Sequence, residues 1–381
     1  MYDVPNRRKL LRQPMTDIPL FKVFMPESVM EPLKATLMSG YVAQGPRVEE
    51  FEKALSARLQ APYPLTVNSA TSGIHLALRL AGVGQGDEVI TTPLTCPATN
   101  WPILSLGAIP VWADVDEDTC NIDPRTIEPL ITPRTKALIF VHWGGSPVDL
   151  DAIWEIAQRH GLKVIEDCAH AFGSTYQNKH VGTKSDFGVF SFQAIKHLTT
   201  VDGGLVVAGN RADYDRGKLM RWYGIDRNEQ GRADFRCESD VLEWGWKFHM
   251  NDVAATIGLE QLKHVDGVIA KHQDNAAFYT RELQNVPGVT LLTPGGDRTS
   301  SFWLYTIKVE ERDRFILAMK ERGIVASRVH ERNDKHTVVK AYRRPLPQLD
   351  RLVQQMVCIP VGWWVSEEDR HYVVESIRRG W

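Results

Sequence analysis

Cysteine is scarce in this chain of 381 residues: five are present (Cys96, Cys120, Cys168, Cys237 and Cys358), an odd number with no CxxC pair. That excludes a disulfide framework and a thiolate zinc site, and a reducing cytoplasm is the expected home. No uninterrupted apolar stretch is long enough to span a bilayer. Residues 1–11 are basic but lack the apolar centre of a secretory signal, so a soluble, unexported protein is expected. Basic excess is missing too. The formal net charge of -2 argues against a nucleic-acid binder. Repeats and low-complexity linkers are absent. The glycines of Gly82-Val83-Gly84-Gln85-Gly86 do not have GxGxxG spacing and precede a strand instead of opening a helix. A nicotinamide oxidoreductase is therefore a weak reading.

What the chain does have is length enough for two domains. Between about residues 64 and 208, short β-branched runs alternate with helical patterns. Strands are predicted at 64–67, 88–91, 109–112, 137–142, 163–166, 187–191 and 205–207. Several are continuously apolar, as strands covered on both faces are. A helix is predicted over 150–160, where Leu150, Ile153 and Ala157 share a face and Gly161 can end the run. Another is predicted over 47–60, with Val48, Phe51, Leu55 and Leu59 on one side. The alternation reads as α/β with a mostly parallel sheet, whose ligands collect at the strands' carboxyl ends. From about residue 265 the pattern changes to a strand at 303–309 and a helix at 313–322 ended by Gly323. We therefore expect a large α/β domain over 1–264 and a smaller C-terminal α+β domain over 265–381.

The chemistry-bearing residues follow that order. Asn68-Ser69-Ala70-Thr71-Ser72-Gly73-Ile74-His75 leaves a strand and opens a helix, with small residues and hydroxyls that suit a phosphate. Asp167 ends a strand, His170 follows three residues later, and Ser191 ends another strand. Lys196 lies in the next loop, flanked by Phe192, Ala194, Ile195 and Leu198. Taken singly each has an ordinary explanation: a capped turn, a strand-end Asp, a packed loop His, a solvated lysine. Taken together, a strand-end carboxylate and a later loop lysine suit pyridoxal phosphate. Its ring nitrogen needs an anion and its aldehyde needs an amine.

At this point the sequence resembles the sugar aminotransferases of the DegT/DnrJ/EryC1/StrS group over nearly its whole length. The resemblance starts at Ser39-Gly40-Tyr41-Val42-Ala43-Gln44-Gly45-Pro46, and continues through the Asn68 turn and Gly86-Asp87-Glu88-Val89-Ile90. It also covers Glu166-Asp167-Cys168-Ala169-His170-Ala171-Phe172-Gly173, the segment from Ser191 to Gly204, and Gly245-Trp246-Lys247-Phe248-His249-Met250-Asn251-Asp252. It implies the fold type I architecture, with a mostly parallel seven-stranded sheet in the large domain. It also implies that Lys196 is the Schiff-base lysine and Asp167 the partner of the pyridine nitrogen. Ala70, Thr71 and Ser191 become phosphate ligands. His170 takes the place of a more frequent glutamine beside the ring hydroxyl. The segment around Lys247, where many members carry asparagine, is contributed in the family by the neighbouring subunit of a homodimer.

In Thr95-Cys96-Pro97-Ala98-Thr99-Asn100 the chain departs from the family, since Cys96 stands where an aromatic ring usually covers the cofactor; Trp101 is a nearby substitute. Related dehydratases replace the lysine with histidine; here Lys196 is kept beside His197, which favours transamination. The implied reaction moves an amino group from L-glutamate to a 3- or 4-keto deoxysugar nucleotide, for amino-sugar biosynthesis. Residues 41–46 and Arg328-Val329-His330 are candidates for holding the sugar or its diphosphate. An aminocyclitol aminotransferase acting on keto-inositol, or a regulatory protein retaining the fold without turnover, remain open alternatives.

Overall fold

The computed structural model describes residues 17–226 and 240–381; Cys237 lies outside them. Seven strands form the main sheet: β1 (Pro64–Val67), β2 (Glu88–Thr91), β3 (Ile109–Trp112), β4 (Thr135–Val141), β5 (Lys163–Asp167), β6 (Phe187–Ser191) and β7 (Gly204–Ala208). Their spatial order is β1-β7-β6-β5-β4-β2-β3. The pairings among β2 to β6 are parallel, while β7 runs antiparallel to both of its neighbours. All seven predicted strands exist, four with the predicted ends and three with ends shifted by one or two residues.

Residues along these strands alternate between two apolar cores, as the two-residue period of a strand requires. Leu138, Phe140 and Val164 point into one core, and Ala137, Ile139 and Ile165 into the other. That is why the runs read as continuously apolar. Helix Ala70–Leu80 lies very close to the sheet: a Cβ on Gly73 would come 2.9 Å from Val189 Cγ1. Helix Leu150–His160 starts where Asp149 accepts the Ala152 N–H and ends at Gly161 in the left-handed region, φ 65°. Helix Pro46–Leu59 has its free first-turn N–H groups served from a distance in sequence. The buried Asp252 carboxylate accepts from Gly45 (2.8 Å), Val48 (3.1 Å) and Arg47 (3.3 Å). The Gln44-Gly45-Pro46 and Asn251-Asp252 motifs thus meet as a structural joint.

A second, antiparallel sheet has the order β8 (Val289–Leu291), β9 (Tyr305–Val309), β10 (Met356–Ile359). Helices Arg312–Glu321 and Glu367–Arg378 pack with it. The 19-residue helix Val265–Leu283 spans both units. Val265 and Ile269 join the core of the main sheet, whereas Ala276, Tyr279 and Leu283 join that of the second. Ile18 also packs in the second core and pairs with Ile324. No helix among the described residues is long and apolar enough to cross a membrane.

Candidate active site

The register of the main sheet brings its functional ends together. Asp167 closes β5 and lies opposite Val189 of β6; Ser191 closes β6 and lies opposite Gly204, which in turn faces Val67 at the end of β1. Asn68 and the turn into helix Ala70–Leu80 follow directly. Ser69 caps this helix by accepting the Ser72 N–H at 3.1 Å, which leaves the N–H groups of Ala70 and Thr71 at a helix N-terminus. A Cβ on Gly204 would sit 2.6 Å from Ala70 N, so only glycine lets the turn settle onto the strand end.

Asp167 is buried. Its Oδ2 accepts the Thr99 hydroxyl at 2.6 Å and its Oδ1 accepts the Ala169 N–H at 3.0 Å. Burial pushes its pKa up, against the pull of those two hydrogen bonds and of the charges on Lys196 and His142. Lys196 is partly buried, with Nζ 3.5 Å from the centroid of the Trp303 ring. Loss of solvation lowers its pKa to about 7, opposed by Asp167 and Cys96.

Trp303 fixes this neighbourhood. Its Nε1 donates to the carbonyl of Ile195 at 2.9 Å, and His170 stacks on it with centroids 3.9 Å apart. His330 lies parallel to His170 at 5.7 Å, and Trp143 stands edge-on to both. Burial drives both histidines toward neutrality, His330 to about 4. Nδ1 of His170 is buried and has no hydrogen-bond partner among the described residues.

Asp167, His170, Ser191, Lys196, Ala70 and Thr71 are therefore gathered around the carboxyl ends of the strands. Cys96 joins them, partly buried at the start of helix Pro97–Ser105 and close enough for its charge to act on Lys196. Trp101 stands edge-on to His336, with ring centroids 5.6 Å apart. Lys247 is exposed, and its carbonyl accepts from Asn68 Nδ2 of the same chain at 3.3 Å. Arg328 is paired with Glu331 at 3.1 Å, which offsets its charge. Sequence reasoning missed Trp303 and Thr99. Thr99 lay within the segment singled out for Cys96; Trp303 had no periodicity or motif to mark it.

The donor set fits pyridoxal phosphate. It offers a buried carboxylate, a helix N-terminus with a strand-end serine, an unpartnered imidazole nitrogen, and an amine with a lowered pKa.

Comparisons with known proteins agree. The DegT/DnrJ/EryC1/StrS aminotransferase family matches residues 25–378. The spore coat polysaccharide biosynthesis protein SpsC of Bacillus subtilis (strain 168) is 35% identical over 358 residues, covering 90% of this chain and 92% of SpsC. The crystal structure of AtS13 from Actinomadura melliaura is 46% identical with a TM-score of 0.93, over 97% of this chain and 100% of AtS13. That of the sugar aminotransferase CalS13 from Micromonospora echinospora is 42% identical with a TM-score of 0.92, over 96% of this chain and 100% of CalS13. The chain belongs to the DegT/DnrJ/EryC1/StrS aminotransferase family, and with it to the pyridoxal-phosphate-dependent sugar aminotransferases of fold type I.

Proposed function

We propose that this enzyme takes an amino group from L-glutamate and delivers it to a 3- or 4-keto deoxysugar carried on a nucleotide, and that it works as a homodimer. The observation that carries the reading is Lys196, held near neutrality at the carboxyl ends of the strands within the electrostatic reach of Asp167. SpsC, a spore coat polysaccharide biosynthesis protein, and the sugar aminotransferase CalS13 support a sugar acceptor.

Bound pyridoxal phosphate supplies the electron sink and carries the amino group between donor and acceptor. The chain's residues do the rest. Asp167 holds the ring nitrogen protonated by Coulomb attraction. Ala70, Thr71 and Ser191 hold the phosphate, with Lys247 adding a charge near it. His170 offers its free Nδ1 to the ring hydroxyl. Cys96 would pack on the ring face, with less stacking area than an aromatic side chain. With a pKa of about 7, Lys196 is neutral in about half of the molecules at neutral pH. Its Nζ would take a proton from the substrate carbon and pass it to the cofactor carbon. Trp303 and Trp143 exclude water from that exchange.

The 1–264 domain supplies the cofactor residues. Residues 41–46 and His330, the latter from the 265–381 domain, are the candidates for contacting the sugar nucleotide. The segment around Lys247 completes the partner subunit's site. The test is an assay of glutamate with a panel of keto-sugar nucleotides and keto-inositol, the position of amination being assigned by NMR. Amination of a 3- or 4-keto sugar nucleotide is expected. Exclusive use of keto-inositol would move the enzyme to the aminocyclitol class.

A further inference from the structure

A threonine hydroxyl has one proton to give. Thr99 Oγ1 lies 2.6 Å from Asp167 Oδ2, and an ionised carboxylate can only accept, so the Thr99 proton is committed there. Thr99 Oγ1 is also 2.7 Å from Thr95 Oγ1. With its own proton spent, Thr99 must accept from Thr95. The direction of the chain is thereby fixed, Thr95 to Thr99 to Asp167, and both threonines are fully buried. Oδ1 of Asp167 takes the Ala169 N–H. Every bond to this carboxylate favours its charged form.

The turn carrying the two threonines is clamped from the far end of the sequence. Asn333 is fully buried. Its N–H donates to the Pro93 carbonyl at 2.9 Å and its Nδ2 to the Thr95 carbonyl at 2.9 Å. Its Oδ1 accepts Asn100 Nδ2 at 2.8 Å, while Asn100 Oδ1 accepts the Thr91 hydroxyl at 2.8 Å. The C-terminal segment that brings His330 to the site therefore also sets the position of the Thr95–Thr99 pair.

We propose that Thr95 and Thr99 are positioning residues: a one-way hydroxyl relay, locked by Asn333, that keeps Asp167 ionised and aimed at the cofactor's ring nitrogen. This rests on the role given above to Asp167. Lys196 from the loop after β6 and His142 just past the end of β4 also act on this carboxylate, so the relay must be read against them.

The experiment compares wild type, Thr99→Val, Thr99→Ser, Thr95→Val and Asp167→Asn as holoenzymes. It reads the pH titration of the cofactor absorbance band and the release of cofactor on dialysis. Thr99→Val should lose cofactor about tenfold more readily, the scale of one buried charge-assisted hydrogen bond, and its titration should shift. Thr99→Ser, which keeps the hydroxyl, should restore both, and Thr95→Val should give a smaller change of the same sign. A Thr99→Val protein that titrates and retains cofactor like wild type would overturn the relay, as would a Thr99→Ser protein that behaves like the valine variant. If Thr99→Val does not fold, an unchanged Thr95→Val overturns it instead. Asp167→Asn separates the two ideas. If it too matches wild type, the role of Asp167 itself falls; if it is impaired while both valine variants are normal, only the relay falls.

Discussion

Asp167 and Ser191 end two neighbouring parallel strands, and the hydrogen-bond ladder between β5 and β6 fixes where they stand. Trp303 and His330 reach Lys196 from outside regular strands, in the C-terminal half of the chain, with their rings packed on His170 and the Trp303 Nε1–H bonded to the Ile195 carbonyl. One half of the site is positioned by backbone, the other by side-chain packing. A ladder tolerates substitution of the side chains it carries, because its bonds belong to the main chain. A packed wall is made of those side chains and has no such reserve. Substitutions in the first half should therefore change chemistry while sparing the fold, and substitutions in the second should change both.

The largest expected effect is chemical. Lys196→Ala should reduce turnover more than about a thousandfold, the scale of a lost nucleophile and proton carrier, while circular dichroism and sedimentation remain those of wild type. Asp167→Asn should cost about a hundred- to a thousandfold in kcat, as loss of a preorganised charge does, again with the fold intact; a collapse in melting temperature would break the distinction. In the packed half, Trp303→Ala should cost about 3–5 kcal/mol in denaturant unfolding through the cavity it leaves.

The same variant should also change the pH profile. In the wild type, activity should fall as pH drops through about 7, because Lys196 becomes protonated and can no longer accept a proton. Opening the wall rehydrates the ammonium, so in Trp303→Ala that acid limb should move to higher pH. A further effect on stability depends on pH. Lys196 is depressed in the fold from an ordinary 10.5, so the unfolded chain binds more protons between about pH 7 and 10.5. Its contribution to stability therefore rises with pH through that window. Lys196→Met should raise the melting temperature of the cofactor-free protein at pH 7, and the gain should vanish near pH 10.5.

The same contrast accounts for what could be read beforehand. Asp167, Ser191 and the Asn68 turn were legible because a strand's end can be seen in its apolar run, and the sheet turns sequence order into spatial proximity. The pairing of a strand-end carboxylate with a later loop lysine also marked Lys196 and His170 as candidates, and motif resemblance supplied their roles and the position of Cys96. Trp303 was not legible: its place depends on where the C-terminal domain docks, which no local pattern encodes. The strand predicted from 303 begins at Tyr305, because residues 301–303 leave the sheet to build the site, with Ser301 held to Ser174 and Trp303 to Ile195. The contact of Trp101 with His336, 235 positions away, was hidden for a related reason, since spacing cannot reveal it. The joint between Gly45 and Asp252 was hidden likewise; both motifs were visible, but not that they touch.

Reduction of the cofactor-loaded protein with borohydride, followed by peptide mapping, tests the central claim most directly. The mass of the reduced cofactor should appear on the peptide that carries Lys196. Attachment to any other side chain, or to none, would contradict it.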